Sequence, residues 1–247
     1  MKRLSIFSFL VLLSLQLPAQ TVDQIIDKYF AQTGGKDKWA ALKSVKTSGK
    51  AKAQGMDLPV VMLQEAPNKM KLTINFQGKE LVQPGFDGQT AWATNFMTMK
   101  PEKMEAEDSE LMKQDTELQD PFLNYQQKGY KAELQGKETI EGTECYKVKL
   151  TKKPVKVDGK EEENVSYYFF SVADNVPIMV RMFGKKGPTK GQPIETYLSD
   201  YQEVNGLFFP FTTAQKMNGQ EVFSMMAEKI ELNGDIDDKE FVMPGGK

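Results

Sequence analysis

Short segments in which apolar and polar residues alternate constrain the fold of this chain more than any other feature of its sequence. Lys69 to Phe76 reads KMKLTINF, with an apolar side chain at every second position. Successive side chains of a β-strand point to opposite faces, so this segment predicts a strand with one apolar and one polar face. The same alternation returns from Cys145 to Leu150 and from Ile178 to Met182. The sequence therefore predicts a sheet with one buried face.

Paired turn residues separate these segments. Asn-Gly and Asp-Gly pairs supply the positive φ angles of tight hairpin turns. The pairs are Asp87-Gly88, Asp158-Gly159, Asn205-Gly206, Asn218-Gly219 and Asn233-Gly234. Strands joined by turns this short run antiparallel, so we predict an antiparallel meander of about ten strands.

Three segments have helical rather than alternating periodicity. Thr21 and Gln24 form a capping-box pattern ahead of an apolar stripe, and Gly34-Gly35 ends this helix. A second short helix is predicted from Asp37 to Ser44. A third is predicted from Glu102 to Leu118, where apolar residues fall near one face and acidic residues cover the rest. The apolar face of this third helix holds Met104, Leu111, Met112 and Leu118.

Residues 1–20 have the pattern of a secretory signal peptide. Lys2-Arg3 precedes a mostly apolar run from Ile6 to Leu17, and a helix-breaking proline follows. The run is too short and too asymmetrically flanked for a membrane span. We expect cleavage after Ala19 or Gln20, export to a bacterial periplasm without stable membrane insertion, and a single domain over residues 21–247.

The residue types that are missing exclude several classes of function. The chain contains no histidine and a single cysteine, Cys145. Hydrolases with a histidine base, histidine-ligated metal sites, internal disulfides and thiolate zinc clusters are thereby excluded. A lipid anchor is not expected either, because no cysteine follows the cleavage point. The 32 basic and 34 acidic residues form no basic stripe, which argues against nucleic acid as a partner.

Two acidic segments have ordinary explanations. Asn233 to Asp237 is spaced like the start of a calcium-binding loop, but Asp238 and Pro244 replace the glycine and glutamate that such a loop requires. Glu161 to Glu163 predicts a solvated hairpin tip, since adjacent carboxylates of a strand face opposite ways. We therefore predict no metal site, no cofactor and no catalytic residue.

Methionine is frequent, with 14 residues in the chain. Methionine is flexible and polarizable, so it lines surfaces that adapt to the shape of a ligand. A loosely specified hydrophobic core explains the same content. Three helices are few for a sheet of about ten strands, and they leave part of its apolar face uncovered. The alternating pattern itself is compatible with a cavity and with a packed core.

Three longer stretches share a pattern of turns and aromatic residues. The first is the helix ending at Gly34-Gly35 with Lys38-Trp39 and the strand after it. The second runs from Asp120-Pro121-Phe122-Leu123 through Gly129-Tyr130 to Tyr146–Leu150. The third holds Tyr197–Tyr201, Asn205–Pro210, Lys229-Ile230 and Phe241–Pro244. Together these stretches resemble the LolA/LolB-like superfamily of periplasmic outer-membrane lipoprotein-sorting and lipid-binding proteins, of the type found in Bacteroidota.

The resemblance implies a mainly β, α+β fold: an open, strongly curved antiparallel half-barrel whose helices close the concave face. Acyl chains would bind on the concave side, with the third helix as a lid. The arginine that lipoprotein carriers of the family have on an early strand has no match, because Arg181 is the sole arginine after residue 20. The expected wall residues are Leu72, Ile74, Phe76, Trp92, Val148, Val180, Met182 and Phe208. The expected lid residues are Met104, Leu111 and Met112.

These patterns predict a periplasmic, non-enzymatic carrier or binder of an acyl-chain ligand, either a lipid or a lipoprotein. The alternative is a cell-envelope interaction or sensor module with a filled core, no lipid and a protein partner. A carboxylate-based hydrolase is a third hypothesis, which the lack of any suitably spaced acid pair disfavours.

Overall fold

The structure is a computed structural model that describes residues 20–53 and 55–245. Of the predicted signal peptide, residues 1–19 lie outside the described residues. Among the helices that are described, none has both the length and the hydropathy to cross a membrane.

Helix α1, Val22–Gln32, begins where the sequence predicts it. The Thr21 hydroxyl accepts the backbone N–H of Gln24, and the Gln24 side chain accepts the N–H of Thr21, which is a capping box. Helix α2, Lys36–Ala40, is shorter than the predicted helix from Asp37 to Ser44, because Ser44 already belongs to the first strand. The buried stripe of α1 is Ile25, Ile26, Tyr29 and Phe30.

One antiparallel sheet of thirteen strands dominates the described chain. The strands are β1 Ser44–Ala53, β2 Met56–Glu65, β3 Lys69–Phe76, β4 Lys79–Phe86, β5 Ala91–Thr94, β6 Pro101–Lys103, β7 Lys131–Ile140, β8 Thr143–Val157, β9 Lys160–Ser171, β10 Pro177–Phe183, β11 Pro193–Val204, β12 Leu207–Met217 and β13 Gln220–Leu232. Their order is β6-β5-β4-β3-β2-β1-β13-β12-β11-β10-β9-β8-β7, so β6 and β7 are the two open edges. The predicted mainly β, open half-barrel fold is confirmed.

Most of the predicted turn pairs make hairpins. Both residues have positive φ at Asp158-Gly159, Asn205-Gly206 and Asn218-Gly219, as tight hairpins require. Asp87 works differently: its carboxylate accepts the N–H groups of Gln89 and Thr90 and so bends the chain between β4 and β5. Asn233 ends β13, and its side-chain oxygen accepts the N–H of Lys43.

Helix α3, Ala106–Asp115, spans the opening between the two edges of the sheet. The predicted helix from Glu102 to Leu118 is too long at both ends. Pro101–Lys103 pairs with β5 instead, and the N–H of Leu118 bonds to the carbonyl of Pro67. The helix packs on β5, which lies next to the edge strand β6, and on β8, which lies next to the edge strand β7.

Residues 233–243, which we call the C-terminal strap, cross the convex face of the sheet. The Ser44 hydroxyl donates to the carbonyl of Gly234 at 2.6 Å, and Lys71 pairs with Glu240 at 2.8 Å. The indole N–H of Trp92 donates to the carbonyl of Phe241 at 2.9 Å, and the Phe241 side chain is fully buried. The strap therefore covers strands on the side opposite to the helices.

Candidate functional site

The concave face of the sheet is filled at one end and open at the other. Helix α1 and residues 118–125 share the main core with β8 and β9, so Val148, Leu150 and Phe170 are fully buried. Over β2, β3 and β10 to β12, by contrast, most side chains keep partial exposure. Two apolar pockets lie on this less covered part of the face.

The first, which we call the inner pocket, lies between α2 and strands β1, β2, β12 and β13 and has a volume of about 180 Å³. Trp39 forms one wall, and its indole N–H donates to the Thr33 hydroxyl at 3.1 Å. Its ring lies 5.2 Å from that of Phe209. Further walls are formed by Leu42, Met62, Leu118, Phe211, Met225 and Ile230.

The second, which we call the rim pocket, lies on the same face of β1 to β4 and has a volume of about 310 Å³. Its lining is formed by Ala53, Met56, Leu58, Ile74, Phe76, Leu81 and Phe96. All seven side chains are apolar.

A small apolar cluster separates the two pockets. Its buried part is Ala51, Val60 and Met225, against which Met62, Leu72 and Ile74 pack. Met62 and Met225 also line the inner pocket, and Ile74 lines the rim pocket. Because a methionine side chain changes rotamer readily, Met62 and Met225 are the adaptable part of the surface between the pockets.

The chemistry of these surfaces is burial of hydrocarbon. No ionisable side chain of the described residues lines either pocket, and the polar side chains of the inner pocket are Thr47, Gln64 and Thr213. Removing apolar surface from water stabilises a complex by about 25 cal/mol per Å². The pockets thus suit an apolar chain and offer no positioned acid, base or nucleophile.

Several predicted wall residues lie on this face. Ile74 and Phe76 line the rim pocket, and Leu72 packs in the cluster between the pockets. Val180 and Met182 are half-buried on β10, where Val180 pairs with Tyr168 of the main core. Their role in binding stays a prediction.

Three other predicted wall residues line neither pocket. Val148 is on the concave face, but it is fully buried in the main core. Trp92 lies on the convex face over Gly85, where an added Cβ would lie 2.4 Å from the indole ring. Phe208 alternates with Leu207 and Phe209, which both pack on the core, so it faces outward.

The residues that line the inner pocket in place of Phe208 are Phe209 and Phe211. All three phenylalanines lie in one aromatic run, and the alternation of the strand decides which of them face the pocket. The phase of this alternation depends on the hairpin register, in which Val204 pairs with Leu207.

The predicted lid residues divide between helix and loop. Met104 precedes α3 and is exposed, while Leu111 and Met112 are half-buried on the helix. Met104 is therefore not part of the helix that spans the opening.

Polar contacts hold α3 to both sides of the opening. The Glu107 carboxylate accepts the N–H groups of Asp158 and Gly159, each at 2.9 Å, at the tip of the β8–β9 hairpin. On the opposite side the hydroxyl of Ser109 accepts the N–H of Ala91 at 2.9 Å. The helix is thereby bonded to strands near both edges.

Lys186, in the connection between β10 and β11, adds an ionic contact to the first turn of α3. Its Nζ lies 2.6 Å from the carboxylate of Glu105 and 3.0 Å from that of Asp108. These hydrogen bonds raise the pKa of Lys186 above its usual value. The acidic first turn also complements the positive end of the helix dipole.

A polar cluster lies where α1, α3 and β8 meet. The Tyr29 hydroxyl donates to Asp120 at 2.6 Å, and burial raises the pKa of the Asp120 carboxyl above its usual value although this hydrogen bond opposes the shift. Lys152 Nζ donates to the carbonyl of Gln114 at 2.9 Å, and burial lowers its pKa. Each of these groups has a partner inside the fold, and the bond of Lys152 joins β8 to α3.

Other reactive side chains lie away from the pockets. Arg181 is bonded to Glu195 at 2.8 Å and lies over the ring of Phe169, 4.9 Å from its centre. Burial raises the pKa of the Cys145 thiol to about 11, so the thiol is neutral at physiological pH. Within residues 20–53 and 55–245, no group of three or more acidic or cysteine side chains is placed to hold a metal ion.

Comparison with known proteins supports this architecture through structure alone. No protein-family model matches the sequence, and no curated protein matches it. A LolA superfamily protein from Nitrosomonas europaea is similar in structure, with a TM-score of 0.54, 14% identity, and coverage of 91% of this chain and 98% of that one.

Two further solved structures agree with this. A candidate outer membrane lipoprotein-sorting protein domain from Vibrio parahaemolyticus has a TM-score of 0.53 and 9% identity over 88% of this chain and 94% of that one. A DUF1329 family protein from Desulfovibrio piger has a TM-score of 0.52 and 12% identity over 87% of this chain and 96% of that one. At these identities the likeness concerns the fold. The protein thus has the LolA-like fold that its turn and aromatic pattern predicts.

Proposed function

We propose that the protein is an exported, non-enzymatic carrier or binder of an acyl-chain ligand, held on the uncovered part of the concave face. The ligand is a lipid or the lipid moiety of a lipoprotein. The periplasm is the proposed location, in line with the signal-peptide pattern of residues 1–20.

One observation carries this proposal: two pockets without ionisable side chains lie on one continuous apolar face of the sheet. Each buried CH₂ group of an acyl chain contributes about 0.8 kcal/mol, so a long chain is held without a specific polar contact. The methionines between the pockets adapt to chains of different shape. The LolA-like fold adds support, although a fold alone does not define a function.

The first test is native mass spectrometry of the protein purified from a bacterial periplasm without detergent. We expect an added mass that extracts into organic solvent as a lipid. The variant Ile74→Glu places a carboxylate in the rim pocket and should remove this mass, because a charge there would be desolvated by the bound chain.

Met226→Glu is the matched control, because Met226 is 59% exposed and its neighbour Met225 lines the inner pocket. This variant should keep the lipid, and thermal unfolding should show that both variants are folded. A folded Ile74→Glu protein with unchanged lipid would refute the pocket assignment. A wild-type protein that stays free of lipid after incubation with phospholipid or fatty acid would refute the carrier and favour the interaction module.

A further inference from the structure

The hairpin between β5 and β6 exposes an unusual amount of apolar surface. Residues 96–99, which we call the apolar tip, contain Phe96, Met97 and Met99, with exposed fractions of 65%, 95% and 38%. A single exposed apolar side chain is ordinary on a protein surface, but three within four residues mark an interaction site. We therefore expect the tip to bind a partner that buries its apolar side chains.

The tip is ordered although it buries little of its own surface. The Asn95 side-chain oxygen accepts the N–H groups of Met97 at 2.8 Å and Thr98 at 3.2 Å. The N–H of Met99 bonds to the carbonyl of Asn95, and the N–H of Asn95 bonds to the carbonyl of Lys100. The Thr98 hydroxyl accepts the N–H of Lys100 at 3.4 Å. The N–H groups of Met97, Thr98 and Met99 within the tip, and those of Asn95 and Lys100 beside it, are thus satisfied locally, which lowers the cost of moving the turn out of water.

One residue of the apolar tip has a backbone conformation that is unfavourable for its residue type. Met99 has φ of 56°, a conformation that glycine adopts freely and methionine does not. A turn that only connected two strands would favour glycine at this position. The side chain of Met99 thus adds to the apolar surface of the tip at a position where glycine would fit the turn without strain.

The charges of the tip fit a lipid surface better than a protein partner. Lys100 is the only charged residue from Asn95 to Pro101, and it lies beside the apolar side chains. The next acid, Glu102, is occupied, since it accepts hydrogen bonds from the Asn95 amide at 2.9 Å and the Thr98 hydroxyl at 3.2 Å. Apolar groups flanked by lysine are typical of segments that lie in the membrane interface.

The tip is continuous with the rim pocket. Phe96 lines that pocket and is exposed, and Met56, on the opposite wall, is 42% exposed. A chain that leaves the rim pocket past Phe96 would therefore reach whatever surface the tip contacts without crossing a polar barrier.

We propose that the apolar tip docks on a lipid bilayer and marks the place where the ligand enters or leaves; this inference rests on the proposed function. Met97 and Phe96 insert below the head groups, and Lys100 stays at the level of the phosphates. Because the contact is apolar, docking needs no anionic lipid and depends little on salt.

The test is flotation of the wild-type protein with vesicles of phosphatidylcholine, at low and high salt. We expect a bound fraction that changes little with salt. Met97→Ser should weaken partitioning about tenfold, the order expected for the loss of one buried methionine side chain. Met226→Ser removes an equally large exposed side chain from another surface and should bind like wild type.

Met99→Gly provides a second variant that is not expected to unfold. It relieves the positive-φ strain, so the melting temperature should stay equal or rise, while vesicle binding falls. Wild-type protein that does not float, or a Met97→Ser variant that floats equally well, would overturn the proposal. Lipid content is measured on the same samples: Met97 does not line the rim pocket, so loss of docking with retained lipid separates the tip from the carrier function.

Discussion

At the scale of single residues, the pair Tyr29–Asp120 connects α1 to the segment that precedes β7. Asp120 also accepts the N–H of Phe122 at 2.8 Å, so both of its oxygens are used inside the fold. Burial outweighs these hydrogen bonds and raises the pKa of the carboxyl above 3.8. Because the folded state then binds the proton more tightly than the unfolded chain, this group lowers stability as pH rises from 3.8 through its folded pKa.

We predict that Tyr29→Phe lowers the free energy of unfolding at pH 7 by about 1–3 kcal/mol, the cost of leaving a buried acceptor without its donor. The loss should be smaller near pH 4, where a larger share of Asp120 is protonated. Urea unfolding at the two pH values measures the difference. Tyr197→Phe, at a half-exposed tyrosine bonded to Glu195, is the control. An equal cost at both pH values would contradict the assigned role of Asp120.

The residue scale also shows where the sequence pattern stops being informative. Ile74 and Val148 lie on strands of the same alternating type, and both face the concave side. Burial in the main core, which α1 and residues 118–125 complete, distinguishes the buried Val148 from the accessible Ile74. Trp92 is another of the wall residues predicted from the sequence. It lies on the convex face opposite Gly85, and its hydrogen-bond acceptor there is the carbonyl of Phe241, 149 residues later, which local sequence does not reveal.

At the scale of elements, α3 combines weak burial with many polar contacts. Ser109 is its buried residue, and its acidic first turn meets Lys186 and the β8–β9 hairpin. Most of the hydrophobic support that usually holds a helix is missing. The helix should therefore detach locally before the sheet unfolds.

We predict that Lys186→Ala speeds amide hydrogen exchange in residues 106–115 and leaves exchange in β8 unchanged. High salt should have the same effect on the wild-type protein, because the contacts of Lys186 are ionic. Lys229→Ala, which removes a surface pair with Glu231, is the control. Exchange of α3 only through global unfolding would show that the helix is not a separable lid.

The length of α3 illustrates why element boundaries were predicted less well than elements. Glu102 to Leu118 has helical composition throughout. Hydrogen bonds to other segments of the protein make the helix shorter at both ends. Pro101–Lys103 pairs with β5, and the N–H of Leu118 bonds to the carbonyl of Pro67. The capping box at Thr21, by contrast, is a local device, and the start of α1 was predicted correctly.

At the scale of the whole molecule, the C-terminal strap is a second layer on the convex side of the sheet. Its anchor is Phe241, whose side chain is fully buried below Lys69 and whose backbone carbonyl accepts the indole N–H of Trp92 on β5. The strap thus ties the end of the chain to strands formed near its beginning. The overall class of fold followed from alternation and turn residues, but nothing in those patterns indicated this covering layer.

We predict that Phe241→Ala lowers the free energy of unfolding by about 3–5 kcal/mol, the cost of removing a large buried aromatic side chain. Trp92 should become more exposed, and tryptophan fluorescence should shift to longer wavelength in the folded variant. Trp39→Phe, combined with the change, isolates the signal of Trp92, since the chain has two tryptophans. A variant of wild-type stability would show that the strap is dispensable.

The position of α3 has a mechanical consequence. The sheet is open, but helix and sheet together form a closed hoop, because α3 is bonded near both edges. A thicker ligand inside this hoop would therefore pull harder on the hydrogen bonds that hold α3 to the sheet. We expect a thin chain to fit without breaking these bonds, whereas a multi-chain ligand would separate Glu107 from the β8–β9 hairpin. Under the proposed carrier function, ligands would then be sorted by thickness, a property that needs no recognition of the head group.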